Sequence, residues 1–390
     1  MENSKPAGRT DRFKIAIVHD FLTKLGGAEN VLLAMHDLFP DAPIYTLLYD
    51  EEGTRSKLKN CEIHTSSLQK RPAFLRKRPK FLFAKFSQAI EEFDFSEYDI
   101  VISSSNSFAH GIITKPKTFH LSYCYSPMRY VWDWTNEYLE ENNVGMGIKG
   151  IYIRNIIHKN RIWDKVASDR VDQWVAISKT VQERINKYYH ADSKVVYSPA
   201  NVEKIEMAKG EPDDYFVIVS RLEPYKKIEL AIEAFNKMNK QLIIIGVGSE
   251  LSTLKKQAGS TVEFLGWQSD ESVYEYLRNA KALIFPGEED YGLTPIEAMA
   301  CGRPVVAYSK GGVTETVVSG KTGVFFDEQT PESLISAVEK LESSYSNFYP
   351  DACRYQAEKF SVAKFNESFL STLDQAHANY LETMSQIDKK

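Results

Sequence analysis

The stretch from Ile284 to Thr316, IFPGEEDYGLTPIEAMACGRPVVAYSKGGVTET, constrains the fold more than any other part of the chain. An apolar run, Ala282-Leu283-Ile284-Phe285, is stopped by Pro286-Gly287 and followed by three acids and a glycine turn, Glu288-Glu289-Asp290-Tyr291-Gly292. Thr294 as N-cap, Pro295 at the first helical position and Glu297 in the first turn predict a helix that Gly302 ends. Val305-Val306-Ala307-Tyr308 then reads as the next buried strand. Strand, loop, helix and strand in that order form the repeating unit of a parallel α/β sheet.

The helix start expected here offers unpaired N–H groups and the positive end of a dipole, so a phosphate can settle at Gly292-Leu293-Thr294. Glu289 and Glu297 would flank that anion site. Carboxylates are poor phosphate ligands but good acceptors for sugar hydroxyls, so the layout suits a group with both, such as a nucleotide sugar. On spacing alone, Glu297 could equally complement the helix dipole and Glu289 could be a solvated loop acid.

The pattern Glu289-x7-Glu297, then Ala-Met-Ala-x-Gly-x-Pro-Val-Val-Ala and Gly311-Gly312-x-x-Glu315, resembles the donor-site signature of the retaining glycosyltransferases of family 4 (group 1). That resemblance implies the GT-B fold: α/β, two Rossmann-like domains facing across a cleft, with a C-terminal helix crossing back to the first domain. It also implies retention of anomeric configuration by front-face substitution. Glu289 would orient the sugar, Glu297 would bind the ribose, and Leu293 and Thr294 would lie at the donor.

Length and composition agree with two domains. A chain of 390 residues exceeds the size at which one core stops growing. With 43% hydrophobic and 26% charged residues it reads as globular, and a net charge of −5 argues against general nucleic-acid binding. Cys61, Cys124, Cys301 and Cys353 are scattered without metal spacing, which predicts a reducing, cytoplasmic setting, with no zinc site and no disulfide framework. The first twelve residues are polar, without an apolar signal region, and are expected to be a disordered tail.

From the N-terminus, Phe13–Val18 is a strand pattern, with His19-Asp20 at its end and Gly26-Gly27 turning into a helix that includes Glu29. In the family this Gly-Gly loop approaches the donor diphosphate. Residues 69–86, QKRPAFLRKRPKFLFAKF, carry seven Lys or Arg and no acid among Phe and Leu side chains. That mixture suits an anionic membrane surface, or a solvated basic face whose apolar residues lie in the core. Apolar strands at 98–102 and 119–123 follow. Tyr125-Ser126-Pro127-Met128-Arg129-Tyr130-Val131-Trp132-Asp133 resembles a branch that transfers mannose in cell-surface polysaccharide (O-antigen or capsule) assembly. Tyr125 stands where that branch has a His beside the sugar, and His110 is weighed as its spatial substitute. His19, Asp20, His110 and Tyr125 are thus the candidates on the acceptor or sugar side.

Ser178 or Thr180 is expected to cap a further helix, and polar residues 201–214 to form the linker. Domains are therefore expected at 13–200 (acceptor-binding) and 213–360 (nucleotide-sugar-binding), with 361–390 a terminal helix packing back on the first. The second half restarts with Tyr215–Val219, followed by Arg221 and Lys226, two cations able to hold a diphosphate as it leaves. A surface pair answering Glu223 and Glu229 is the alternative. Gly246-Val247-Gly248 fails as a dinucleotide fingerprint, because Leu251 stands where the third glycine belongs. In the family that loop and Gly266 lie near the base. No Asp-x-Asp is present, so no metal is expected at the diphosphate. The resemblance implies GDP-mannose as donor, a lipid-linked oligosaccharide acceptor, and a cytoplasmic location peripheral to the inner face of the plasma membrane. A UDP-sugar donor, a nucleotide-sugar epimerase, a phosphorylase, a dinucleotide oxidoreductase and a non-catalytic donor-binding scaffold are the alternatives.

Overall fold

The computed structural model describes residues 13–387, so the N-terminal stretch read as a tail lies outside the described residues. The chain divides into two compact units: one made of the first 196 residues with Asn366–Lys390, the other spanning Tyr197–Phe365.

The first unit is built on a sheet of seven strands, all parallel: β1 (Ile15–His19), β2 (Ile44–Thr46), β3 (Ile63–Thr65), β4 (Ile100–Ser105), β5 (Phe119–Cys124), β6 (Gln173–Ala176) and β7 (Ser193–Val195). Their order is β3-β2-β1-β4-β5-β6-β7. β1, β4 and β5 are buried along their whole length; residues 15–18 and 100–102 read accordingly as apolar runs, while Ser103, Ser104, Ser105, His120 and Ser122 are buried polar groups. Ser178 caps the Lys179–Tyr189 helix, its Oγ accepting from the Val181 N–H at 3.1 Å. The C-terminal helix, Val362–Ile387, contributes its greater part to this unit. Phe369 is fully buried against Tyr123, His377 packs on Phe119, and the Tyr380 hydroxyl donates to the Pro116 carbonyl at 2.5 Å.

The second unit repeats the plan with six parallel strands: β8 (Phe216–Val219), β9 (Leu242–Ile245), β10 (Val262–Gly266), β11 (Ala282–Phe285), β12 (Val305–Tyr308) and β13 (Gly323–Phe326). They lie in the order β10-β9-β8-β11-β12-β13. One core runs through Phe216, Ile218, Phe235, Ile244, Ile284, Val306 and Leu334. The division between units falls at Val196/Tyr197, ahead of the polar 201–214 stretch read as a linker. That stretch is fastened to the second unit: Ala208 N–H donates to the Cys301 carbonyl, Arg303 to that of Gly210, and Arg354 to that of Ile205.

In each sheet the order reverses once, between β1 and β4 and between β8 and β11. Parallel sheets of this kind take ligands beyond the carboxyl ends of the strands at such a reversal. His19-Asp20 leave β1 and Ser104-Ser105 end β4, while Arg221 follows β8 and Glu289 follows β11. The topology thus delivers the residues singled out from sequence to two comparable edges.

Candidate active site

At the β8/β11 edge, Lys226 Nζ lies 2.5 Å from Glu289 Oε2, in a pair that is mostly buried on the lysine side. Lys226 also stands 5.0 Å above the Tyr225 ring, and the exposed Arg221 donates to the Tyr225 hydroxyl at 2.8 Å. Arg221 and Lys226 therefore share one aromatic platform. A Cβ at Gly287 would come within 3.0 Å of Lys226 Cα, so the loop after β11 runs tightly past the cation.

The helix after this loop spans Leu293–Ala300, with Gly292 as its N-cap at φ +88°. It starts two residues earlier than the expected N-cap at Thr294 and first helical position at Pro295. Gly292 can take the left-handed backbone that turns the acidic loop into the helix, and a Cβ there would meet the Phe285 ring at 2.9 Å. Thr294 does not cap: its hydroxyl donates to the Val219 carbonyl at 3.4 Å, tying the helix start to the end of β8. Leu293 supplies the first helical residue, and Glu297 consequently falls in the second turn rather than the first. Burial, with the charge of Asp270 adding to it, pushes the Glu297 carboxyl up to about 7.

The Glu289 loop is clamped from behind by Gly311-Gly312. The Gly312 N–H donates to the Glu289 carbonyl at 2.9 Å, and a Cβ on Gly311 would lie 2.3 Å from that same oxygen. Glu315 accepts from the Tyr197 hydroxyl at 3.1 Å. The Gly-Gly-x-x-Glu run is thus a support for the acidic loop, a function that its spacing alone did not reveal. Gly246-Val247-Gly248 has a similar office: the Leu222 N–H donates to Val247 and a Cβ on Gly248 would strike the Leu222 carbonyl, so the glycines let this turn press on the Arg221 segment. Gly266 ends β10 at φ +69°, its carbonyl accepting from the Gly246 N–H at 2.7 Å.

The β1/β4 edge is organised differently. Asp20 is buried and accepts four backbone N–H groups, those of Asn106, Ser107, Phe108 and Ala109, at 2.6–3.0 Å. It holds the loop after β4, and its two oxygens have no capacity left over for an acceptor. His110 is buried among Trp163, Trp174 and Tyr189, with Nδ1 3.1 Å from Ser105 Oγ and Nε2 3.2 Å from Asp164 Oδ1. Ser104, the preceding residue on β4, instead contacts Tyr125. Successive strand residues face opposite sides, so His110 and Tyr125 lie on opposite faces of the sheet and the one cannot stand in for the other.

Tyr125 closes a chain of hydrogen bonds. Its hydroxyl donates to the Ala28 carbonyl at 3.0 Å and contacts Ser104 Oγ at 2.8 Å, and Ser104 in turn contacts His19 Nδ1 at 2.9 Å. With the tyrosine proton committed to Ala28, Ser104 donates to Tyr125 and accepts from His19 Nδ1–H. His19 Nε2 then faces Glu29 Oε1 at 3.9 Å. Burial works to raise the Glu29 carboxyl, but His19, a backbone N–H and Lys24 together outweigh it and hold the carboxyl below the usual range. Gly26 caps the Gly27–Leu38 helix in an extended conformation, and a Cβ on it would crowd the Glu29 carboxylate at 2.9 Å. The Gly26-Gly27 turn is therefore braced by Glu29, His19 and Tyr125 together.

Residues 182–360 match the family described as Glycosyl transferases group 1. An uncharacterized glycosyltransferase of Methanocaldococcus jannaschii is 26% identical over 201 residues, covering 50% of this chain and 56% of the relative. The O-antigen chain mannosyltransferase RfbU of Salmonella typhimurium is 27% identical over 221 residues, covering 53% of this chain and 60% of the relative. The chain thus spans little more than half the length of these curated relatives. Among solved structures, Anabaena HepE in complex with UDP-glucose superposes with a TM-score of 0.68 at 18% identity, covering 93% of this chain and 100% of that one. The chain therefore has the α/β fold of the GT-B glycosyltransferases, and over residues 182–360 it matches the group 1 family.

Proposed function

We propose that the protein is a retaining glycosyltransferase that moves a hexose from a nucleotide sugar, GDP-mannose, to a lipid-linked oligosaccharide. The observation that carries this reading is the gathering of Arg221, Lys226, Glu289 and the Gly292 helix start at one sheet edge. A diphosphate needs cations and N–H donors, and a sugar needs a carboxylate to accept from its hydroxyls. The β8/β11 edge supplies both within one loop pair.

In the proposed reaction the bond from the sugar's anomeric carbon to the diphosphate oxygen breaks while the acceptor hydroxyl bonds to the same face. The leaving phosphate oxygen takes the acceptor proton. Arg221, Lys226 and the N–H groups at Gly292, Leu293 and Thr294 would offset the charge growing on the leaving group, without a metal. Glu289 would orient the sugar. Glu297, ionised above about pH 7, would accept from the ribose. Gly26 and Gly27 would approach the diphosphate, and Gly266 the base. The likeness to the mannosyltransferase RfbU and the Tyr125–Asp133 stretch support mannose, an O-antigen-type acceptor and work at the inner face of the plasma membrane, with residues 69–86 towards the lipid. The likeness to HepE in complex with UDP-glucose supports a second reading, in which the donor is a UDP-hexose.

Thermal unfolding with GDP-mannose, UDP-glucose and NAD tests the reading. A ligand that binds only the folded chain stabilises it by about 2.7 kcal/mol at a hundredfold excess over its dissociation constant. A shift with GDP-mannose supports the first reading and one with UDP-glucose the second. A shift with NAD alone, or with none, overturns both.

A further inference from the structure

The helix Ile148–Ser168 packs Ile153, Ile157 and Trp163 on the core, yet it is apolar on its outer face as well. Its buried side carries Gly150, Ile157, Asn160, Asp164, Ala167 and Ser168, half of them polar. Its exposed side carries Ile148, Ile151, Tyr152, Ile162 and Val166, with Ile148 90% exposed. Ile148, Tyr152, Asn155, Lys159, Ile162 and Val166 recur every three or four positions, so they form one stripe along the helix, about 30 Å long, apolar at both ends and polar at Asn155 and Lys159 between them. The exposed polar side chains of this helix include Lys149 and Lys159, with Asn155 and His158, whereas Arg154 and Arg161 turn inward and donate to the Val144 and Val131 carbonyls. From Asn142 to Trp163 the sequence has Lys149, Arg154, Lys159 and Arg161 and no acid, in a chain that is acidic overall.

The basic 69–86 segment adjoins this helix. Trp163 Nε1 donates to Glu91 Oε1 at 2.9 Å, immediately after the Phe86–Ile90 helix. Rings run from Phe83 to Tyr130 and on to Tyr138, and both segments anchor on the same core cluster. Of the six Phe and Leu residues that suggested a membrane contact in that segment, Leu82 and Phe86 are core, and Leu75 and Phe83 pack against it. Only Phe74 and Phe81 stand out, each 67% exposed. Two rings are a small anchor; the apolar stripe beside them is the larger one.

We propose that the outer face of the Ile148–Ser168 helix, with Met146, Phe74 and Phe81, lies flat on an anionic bilayer, its isoleucines in the acyl boundary and its lysines at the headgroups. An exposed face of Ile, Tyr and Val interleaved with Lys149 and Lys159 is the composition of a helix that rests in a membrane interface. A second copy of the chain is the poorer occupant, since pairing two such faces would bring cation against cation. No helix among the described residues is long and apolar enough to cross a membrane, so the contact is one of surface docking. It extends the membrane contact suggested under the proposed function, and does not depend on the donor or the acceptor.

Co-sedimentation of the full chain with vesicles tests this, using phosphatidylcholine alone and an equal mixture of phosphatidylcholine and phosphatidylglycerol. The chain should pellet with the anionic vesicles, less so as salt is raised, and stay in solution with the neutral ones. The double variant I148E/I151E should weaken binding at least about tenfold. Because both side chains are exposed, its thermal midpoint and its midpoint shift with nucleotide sugar should match the parent's. Equal pelleting of parent and double variant would overturn the proposal, as would a parent that ignores anionic vesicles. So would a parent dimer that the substitutions convert to monomer, which would assign the stripe to a second copy.

Discussion

The two sheet edges share a topology and differ in what their polar groups are doing. At the β1/β4 edge the polar atoms are consumed by the protein: Asp20 holds four N–H groups, and His19, Ser104 and Tyr125 are bonded in series to the Ala28 carbonyl. At the β8/β11 edge Lys226 meets the carboxylate of Glu289 and Arg221 the hydroxyl of Tyr225, on loops that glycines hold in place. A diphosphate can compete for Lys226 by taking the place of the Glu289 carboxylate, and for Arg221 by taking that of the Tyr225 hydroxyl. Nothing can compete for Asp20 without opening a loop. Equivalent positions on equivalent folds are thus consumed as scaffold in one unit and left exchangeable in the other.

Asp20→Ala should separate the two most clearly. Four N–H groups lose their acceptor, and the loss should approach about 4 kcal/mol, at the upper end for a single substitution. Calorimetry should show a midpoint lowered by about 10 °C. Nucleotide sugar should still bind the second unit; loss of binding together with stability would mean that the edges are not separable in this way.

Glu289→Gln and Lys226→Ala should do the reverse. Each should lower kcat by about 10²–10³, the usual effect of deleting one group that stabilises transition-state charge, and move the midpoint by no more than a few degrees. Steady-state rates with the donor identified by the unfolding assay check this, and unchanged kcat in both variants would break the assignment.

Glu297 gives a pH test. Its carboxyl titrates near 7 in the folded chain and near 4.5 otherwise, so the folded state holds the proton longer. Its contribution therefore favours folding below about pH 4.5 and fades as pH rises through about 7. Glu297→Gln should leave the midpoint unchanged at about pH 5 and raise it by a few degrees at about pH 8. Parallel profiles for parent and variant would show that the carboxyl ionises without cost.

The smallest effect expected is that of Tyr125→Phe. It removes the donor to Ala28 and one partner of Ser104, and should cost about 1–2 kcal/mol of stability. If Tyr125 is a brace for the Gly26-Gly27 turn, KM for the donor should rise by less than tenfold while kcat holds. A collapse of kcat would make the hydroxyl a participant.

The sequence made the α/β layout legible because strands buried on both faces must be apolar throughout, as Ile15–Val18, Leu242–Ile245 and Ala282–Phe285 are. It made the Glu289 loop legible because glycines and acids cluster there. It misplaced the helix start because Thr294-Pro295 has the composition of a cap, whereas the turn is governed by Gly292 and by a hydroxyl bond to Val219, 75 residues away. The commitments of Asp20 and His110 were hidden for the same reason: their partners at Asn106–Ala109 and Asp164 are distant in sequence, and no local spacing encodes them. The polar 201–214 stretch looked like a linker because its anchoring falls to backbone groups, which composition does not report.

The first unit is assembled from two ends of the chain, with the whole second unit encoded between them. During synthesis, Phe119 and Tyr123 must wait for the residues that cover them, Phe369, His377 and Tyr380, until the whole second unit, Tyr197–Phe365, has been made. A chain stopped at Phe365 should accordingly be cleaved by protease in its first unit while its second resists. Order of translation thus gives the second unit the chance to be complete before the helix that finishes the first has been made.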